Sequence, residues 1–131
     1  MALSSCSNGG TFTAGTIIKF PDTKTVYGIS DINGFQTSGK FVCEVSGVYL
    51  FSVHIMSGSN HAEYQMLKNS MLLSYVHVIY TCPTSGTHYN TGTGVMTVQL
   101  NVGDTLYVKA DRTNMYTYSG TYSCMTIVKI K

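Results

Sequence analysis

The segment GKFVCEVSGVYLFS, residues 39–52, alternates apolar and polar side chains and contains a glycine near its centre. Phe41, Cys43 and Val45 occupy every second position, and Gly47 then interrupts the run. Side chains two positions apart lie on the same face of a strand, whereas an isolated glycine in such a run favours a turn. The segment therefore predicts a strand, a turn and a second strand.

A related pattern appears later in the chain, in LNVGDTLYVKA, residues 100–110. Residues 101–104 read Asn-Val-Gly-Asp, a sequence rich in turn formers, and Leu106, Val108 and Ala110 then alternate with more polar residues. This second segment also predicts a turn that leads into a strand.

Short strands bounded by turn signals are predicted along most of the chain. The predicted strands cover residues 17–20, 26–29, 41–45, 48–56, 64–68, 71–80, 95–100, 105–111 and 122–131. Loops are expected at residues 31–39, 81–93 and 113–120. Nine or ten short strands at this spacing are typical of an all-β sandwich of two sheets.

Length and composition agree with a single β domain. The chain has 131 residues, of which 44% are hydrophobic and 11% charged, and a chain of this length buries a single core. No helical periodicity extends over eleven or more residues. Residues 4–15 are small, polar and glycine-rich, so we expect a flexible amino-terminal arm over residues 1–15 and a globular domain over residues 16–131.

Two spaced motifs carry a family resemblance. They read Phe41-x-Cys43-x-x-x-Gly47-Val48-Tyr49-x-Phe51 and Leu100-x-x-Gly103-Asp104-x-Leu106-x-Val108. In this order they resemble the globular head of complement C1q and its relatives, the C1q domain family, over roughly residues 16–131. The last strand departs from the family, because Ser-Cys-Met-Thr-Ile at residues 123–127 replaces a phenylalanine-serine-glycine-phenylalanine run.

The resemblance implies a jelly-roll sandwich that forms a homotrimer and acts without catalysis. Aromatic and aliphatic side chains close such trimers, and Tyr49, Phe51 and several of the ten tyrosines are expected to contribute to the contact. The chain is most similar to small, freestanding invertebrate members that serve innate immunity as secreted lectins and pattern-recognition proteins. The alternative is a protein-binding ligand or adaptor of the C1q and tumour necrosis factor type, and a purely structural role is a further rival. No leader is recognisable at the amino terminus, so an extracellular location rests on the resemblance.

Three loops, at residues 57–63, 81–93 and 111–119, concentrate tyrosine, asparagine, histidine and hydroxyl side chains. Sugars are recognised by such groups, because flat rings cover the apolar face of a sugar and short polar side chains bind its hydroxyls. The predicted ligand-binding residues are His88, Tyr89, Asn90, Arg112, Asn114, Tyr116 and Tyr118.

Arg112 is the only arginine of the chain. A guanidinium can hold a carboxylate through two parallel hydrogen bonds, so an acidic sugar such as a sialic acid is one hypothesis, with Tyr116 or Tyr118 as the stacking partner. The alternative interpretation pairs Arg112 with Asp111 or with a neighbouring chain and gives it no ligand.

Other classes of function lack support in the sequence. No catalytic motif is present, and no cofactor is expected. The spacing Cys82-x5-His88 offers at most half of a zinc site, and Asp111 is the only aspartate in the candidate loops, which disfavours a calcium site. A net charge of +2 with dispersed lysines disfavours nucleic acid. No apolar run reaches the length of a membrane helix, so no membrane insertion is expected.

The four cysteines permit three fully paired connectivities. The favoured interpretation treats Cys43 and Cys124 as buried thiols within strands. Cys6 is then free or joins two chains, and Cys82 lies in a loop. A bridge between Cys43 and Cys82 is the alternative.

Overall fold

The computed structural model describes residues 1–79 and 89–131, and strands dominate this part of the chain. The described residues form twelve strands and one helix. In chain order they are β1 (Ala2–Ser7), β2 (Gly10–Phe12), β3 (Ile17–Ile18), β4 (Asp22–Tyr27), α1 (Ile32–Ser38), β5 (Phe41–Val42), β6 (Gly47–Ser57), β7 (Glu63–Lys68), β8 (Met71–His77), β9 (Asn90–Leu100), β10 (Thr105–Ala110), β11 (Met115–Thr117) and β12 (Gly120–Lys129).

Two antiparallel sheets form the body of the molecule. The front sheet has the order β4-β1-β12-β6-β9, and the back sheet has the order β3-β10-β7-β8, with β5 also paired to β10. The short strands β2 and β11 make a separate two-stranded ribbon. Neighbouring strands are mostly far apart in sequence, as in the predicted two-sheet jelly-roll sandwich, and that prediction is confirmed.

The core lies between the two sheets and follows the alternation of β6. Tyr49, Phe51, Val53 and Ile55 are all fully buried, whereas the residues between them are half-buried on the outer face of the front sheet. The prediction that Tyr49 and Phe51 close a trimer is therefore wrong, because both side chains are buried in the core of their own chain.

Glycines in β9 let the two sheets approach closely. A Cβ placed on Gly94 would lie 2.5 Å from the sulfur of Met66 and 2.9 Å from a methyl group of Val76. A side chain at Gly94 would therefore have to displace the side chains of Met66 in β7 and Val76 in β8.

The two motif segments contact each other at one end of the sandwich. The Cys43 amide donates to the Asp104 carbonyl at 2.8 Å, and the Gly103 amide donates to the Cys43 carbonyl at 2.8 Å. The Asp104 carboxylate accepts from the Asn101 amide. This bond and the amide of Asn69 hold the pKa of Asp104 below its usual value, so Asp104 acts as the turn residue that the sequence predicts.

The amino terminus corrects the predicted flexible arm. β1 pairs with β12 on one side and with β4 on the other, and Leu3 is buried. The serines of β1 interrupt the apolar alternation by which a strand is recognised in the sequence. Two of them are nevertheless buried, and both have hydrogen-bond partners. The Ser5 hydroxyl donates to the Phe20 carbonyl, and the Ser7 hydroxyl lies 3.2 Å from that of Thr117.

Two predicted loops contain regular structure. Residues 32–38 form α1, which begins after Asp31, whose carboxylate accepts from the Gly34 amide at 3.0 Å. The helix ends at Gly39 in the left-handed conformation, with φ of 79°. At seven residues the helix is too short to produce a long periodic signal. The predicted loop 113–120 contains β11, and β9 already begins at Asn90, inside the predicted loop 81–93.

The cysteines also differ from the favoured interpretation. Cys6 and Cys124 form a disulfide between β1 and β12, at positions that face each other in the register of the two strands. Cys43 is a buried free thiol, as predicted. Cys82 lies outside the described residues.

Candidate functional site

Two connecting segments meet at the end of the sandwich opposite the motif turns. The segment after β6 contacts the segment after β10, because the Thr113 hydroxyl donates to the His61 carbonyl at 3.1 Å. The Tyr116 amide of β11 donates to the Ser59 hydroxyl at 2.9 Å. The structure thus brings together two of the three predicted loops. His88, from the third loop, lies outside the described residues.

Tyrosine rings cluster at this end. The centroids of Tyr89 and Tyr118 are 5.2 Å apart and those of Tyr116 and Tyr118 are 4.9 Å apart, with interplanar angles of 61° and 70°. Edge-to-face contacts of this kind favour a defined arrangement of the rings. Three of the predicted ligand-binding residues therefore lie side by side.

An open cavity of about 410 Å³ lies against this cluster and is lined by Met56, Tyr89, Tyr118 and Tyr122. We call it the tyrosine cavity. Tyr89 and Tyr122 are 55% and 57% exposed. The sequence pattern places Tyr122 in the last strand and gives no sign of a site there. In the structure Ser123 is buried, and because successive side chains of a strand point to opposite faces, Tyr122 points outward.

The surroundings of Tyr118 strengthen the hold of its phenol on the proton, which is already bound at physiological pH at the ordinary tyrosine pKa of 10.0. Loss of water around the hydroxyl raises the pKa of Tyr118, and the neighbouring phenols of Tyr89 and Tyr116 add to the shift. The phenol group is therefore a hydrogen-bond donor at physiological pH, as sugar binding requires.

Arg112 lies in a different environment from the tyrosines. Its Nε is 3.4 Å from Asp111 Oδ2, and its Nη2 is 3.9 Å from Glu63 Oε2. The side chain remains 81% exposed. With Glu63, His61, His77 and other residues it lines a separate cavity of about 210 Å³. The alternative interpretation, in which Arg112 pairs with Asp111, thus has direct structural support.

Glu63 and His77 carry no signal in the sequence that marks them as site residues. They face each other across β7 and β8, and His77 Nε2 lies 3.4 Å from Glu63 Oε1. Asp111 joins them, because its amide donates to the Glu63 carbonyl at 3.0 Å and its carboxylate accepts from Gln65 at 2.9 Å. We call Glu63, His77, Asp111 and Arg112 the charged cluster. Asp111 and Arg112 are neighbours in sequence, but only strand pairing brings Glu63 and His77 together, so no local pattern predicts the whole cluster.

The two asparagines of the predicted site have different surroundings. Asn114 accepts a hydrogen bond from the Ala14 amide at 2.8 Å, so its side chain fastens the segment before β3 to the candidate loop. Asn90 is exposed at the start of β9, opposite Ser57 of β6. The Asn114 side chain therefore stabilises the contact between two segments of the chain, whereas the Asn90 side chain is accessible to a ligand.

Metal ligands do not converge in the described part of the chain. Within residues 1–79 and 89–131, no group of three or more His, Cys, Asp and Glu side chains could hold a metal ion.

No helix in the same residues is long and apolar enough to cross a membrane.

The sequence comparison places this arrangement in a family. Residues 7–126 match the C1q domain. The chain belongs to the C1q domain family. This C1q domain is 28% identical over 108 residues to human complement C1q and tumor necrosis factor-related proteins 9B and 9A. The match covers 75% of the chain and 30% of each human protein, so the chain spans less than a third of the length of these relatives.

Solved structures show the same fold at low identity. The C1q domain superimposes on the globular domain of zebrafish complement 1qA protein with a TM-score of 0.73 and 18% identity, covering 99% of this chain and 97% of that one. It superimposes on Eiger TNF from S. frugiperda with a TM-score of 0.77 and 13% identity, covering 100% and 92%. For murine APRIL the TM-score is 0.71 at 14% identity, and both chains are 98% covered.

The charged cluster of this C1q domain predicts a pH dependence of stability. Burial raises the pKa of Glu63 above its ordinary 4.5, and a hydrogen bond to Asp111 adds to the shift, while His77 and Arg112 oppose it. The folded chain therefore takes up this proton more readily than the unfolded chain. The stabilisation from the protonated carboxyl is complete below pH 4.5 and is lost as the pH rises through the folded pKa.

Glu63→Gln is expected to remove this contribution. The stability of the wild type relative to Glu63→Gln should rise as the pH falls from about 7 towards 4.5, as measured by thermal unfolding at each pH. Asp22→Asn is the matched control, because it removes a carboxylate from an exposed pair with Lys24. A difference between wild type and Glu63→Gln that does not change with pH would contradict the expectation.

Proposed function

We propose that this chain is a non-enzymatic C1q-domain lectin that binds surface glycans multivalently as a homotrimer and serves pattern recognition in innate immunity. Domains of the C1q and tumour necrosis factor families are binding modules. The observation that carries the proposal is the group of exposed tyrosines around the tyrosine cavity, which lies beside amide and hydroxyl side chains at one end of the sandwich.

The chemistry of this end suits sugars. Tyrosine covers the apolar face of a sugar ring at a small loss of side-chain entropy and offers its hydroxyl as a hydrogen-bond partner. Asn90, Thr91 and Ser119 are exposed in the segments that carry these rings and supply short polar groups. Exposed aromatic rings around a concavity are a common mark of a ligand site.

The charge around Arg112 favours neutral sugars over acidic ones. The carboxylates of Asp111 and Glu63 already lie near the guanidinium. A sialic acid bound by Arg112 would have to compete with two negative charges and would suffer repulsion from them. We therefore propose neutral, hydroxyl-rich sugars on Tyr89, Tyr118 and Tyr122, and keep the acidic sugar as an outcome of the test.

Trimer formation would raise the avidity of weak single sites, because several are presented at once. Members of the C1q and tumour necrosis factor families form trimers. Since Tyr49 and Phe51 are buried in the core, we propose the outer face of the front sheet for this contact. On this face Leu50 of β6 pairs with Val128 of β12 and with Thr97 of β9. The next outward-facing residue of β6, Ser52, pairs with the exposed Val95.

An extracellular location accords with the disulfide between Cys6 and Cys124. Structural disulfides persist in oxidising compartments and are rare in the cytosol, where thiols are kept reduced. The disulfide therefore supports, on physical grounds, the extracellular location that the family resemblance implies.

A glycan array probed with the purified chain tests the proposal. We expect binding to a defined set of neutral glycans, weakened by about fivefold or more in Tyr122→Ala, since stacking of a nucleic-acid base on one aromatic ring, a comparable contact, is worth about 1–3 kcal/mol. Tyr75→Ala is the matched control, because Tyr75 is similarly exposed at 52% but lies on β8, away from the cavity. A chelator arm tests for calcium.

The array also separates the rival functions. Acidic glycans that lose binding in Arg112→Ala would favour the sialic acid hypothesis. A blank array from a folded chain would contradict the lectin proposal and favour a protein ligand, for which exposed tyrosines are equally suited.

A further inference from the structure

The lining of the tyrosine cavity differs from that of a site built only for sugar. Its described lining consists of Met56, Tyr89, Tyr118 and Tyr122, and within residues 1–79 and 89–131 no charged or amide side chain is part of it. A sugar drawn fully into such a cavity would find only the phenol hydroxyls as hydrogen-bond partners, and a hydroxyl-rich ring would keep some of its hydroxyls unpaired, which is unfavourable. The interior therefore suits a ligand group that needs no hydrogen bonds.

A quaternary ammonium group meets this requirement. It carries a positive charge but has no N–H bond to satisfy, and the faces of aromatic rings attract it when the charge lies within about 6 Å of a ring centroid. The lining offers three phenol rings and a polarizable thioether. At physiological pH a tyrosine side chain is a neutral phenol, so each ring presents its face without a charge on the hydroxyl.

The geometry of the rings points the same way. Of the rings that line the cavity, Tyr118 is inclined by 61° to Tyr89, with a centroid separation of 5.2 Å. Steeply inclined rings form walls in different directions, whereas a flat stacking platform requires nearly parallel ones. A volume of about 410 Å³ accommodates a trimethylammonium group together with the chain that bears it.

The described lining of the tyrosine cavity contains no charged side chain that would repel a cation. The only arginine is held by Asp111 and Glu63 in the separate cavity of the charged cluster. Tyr89 and Tyr122 leave the tyrosine cavity open to solvent. A cationic headgroup can therefore enter without displacing an internal ion pair.

We propose that the tyrosine cavity binds the quaternary ammonium of a choline headgroup. The inference goes beyond the proposed glycan binding and rests on it only for the location of the site. Choline is carried both by substituted glycans and by lipids, so the ligand chemistry is shared by two sources that experiment can separate.

Calorimetric titration with choline tests the proposal directly. We expect saturable binding by the wild type and about tenfold weaker binding of 3,3-dimethylbutanol, which has the same shape without the charge. Equal affinity for the two compounds, or no saturable binding of choline, would overturn the proposal.

Substitutions at Tyr122 separate the ring from its hydroxyl. Tyr122→Ala should weaken choline binding by about fivefold to tenfold, whereas Tyr122→Phe should retain it, because the ring face carries the attraction. A sugar that uses the hydroxyl would instead lose affinity in both variants. Tyr75→Ala again serves as the control, and its thermal unfolding, compared with that of both Tyr122 variants, verifies folding. Choline binding that survives Tyr122→Ala unchanged would overturn the assignment to this cavity.

The source of the headgroup is tested with two matched pairs. Vesicles of phosphatidylcholine are compared with vesicles of phosphatidylethanolamine, which has the same net charge but no N-methyl groups, and a phosphocholine-substituted glycan is compared with the same glycan unsubstituted. Preference for the choline member of either pair supports the proposal and names the source. An array positive for plain glycans with no choline response would overturn this inference alone, and choline binding with a blank array would overturn the lectin proposal alone.

Discussion

Replacing Phe51 with alanine is expected to lower the free energy of unfolding by about 3–5 kcal/mol. Phe51 is fully buried at the centre of β6, and its register partners are Ile127 of β12 and Met96 of β9. Removing the ring forfeits its transfer from water and leaves a cavity that the close-packed sheets cannot fill. Urea denaturation of the variant and the wild type measures the difference.

Leu50→Ala provides the matched control, since it removes a large apolar side chain one position along the same strand. Leu50 is half-buried and faces away from the core, so the loss of protomer stability should be about 1 kcal/mol. If the outer face of the front sheet forms the trimer, this variant should instead shift the sedimentation mass towards one chain. A loss in Leu50→Ala as large as that in Phe51→Ala would contradict the assignment of the two faces.

Removal of the disulfide is the second change with a large expected effect. Cys6 and Cys124 are separated by 118 residues, so the bridge closes nearly the whole chain into one loop. A disulfide that closes a loop of this length restricts the unfolded chain and typically stabilises a small domain by about 2–5 kcal/mol. The double variant Cys6→Ala, Cys124→Ala should lose stability by this amount in thermal or urea unfolding.

Reduction of the wild type gives an independent check. A reductant should destabilise the wild type and leave the double variant unchanged, which controls for effects at Cys43 and Cys82. On a non-reducing gel the wild type should migrate as one chain. A ladder of linked chains that collapses on reduction would show that Cys6 joins molecules, which is one of the options that the sequence leaves open.

Strand content was predictable because alternation is a local property. The motif segments at residues 39–52 and 100–110 correctly placed the cores of β6 and β10, since apolar residues at every second position determine which face is buried. β1 was missed for the opposite reason. Its serines carry no apolar alternation, and they are tolerated in the interior only because Phe20 and Thr117 supply hydrogen-bond partners.

The candidate site was predictable in composition but not in arrangement. Tyr89, Tyr116 and Tyr118 were identified from loops rich in tyrosine, and the structure brings their rings together. Arg112 was grouped with them because it is near in sequence, yet its partners are Glu63 and Asp111. Side chains only a few residues apart in a turn can point to opposite sides. Arg112 and Tyr118 therefore line different cavities although they are close in sequence.

The sequence by itself determined the all-β class, the motif turns and the family, because these depend on the local order of residue types. Tertiary structure alone decided that Cys6 meets Cys124, that Glu63 faces His77, and that Tyr122 completes the tyrosine cavity. Such contacts depend on which strands become neighbours. Strand order is set by the packing of two whole sheets around one core, and no short segment of the chain contains that information.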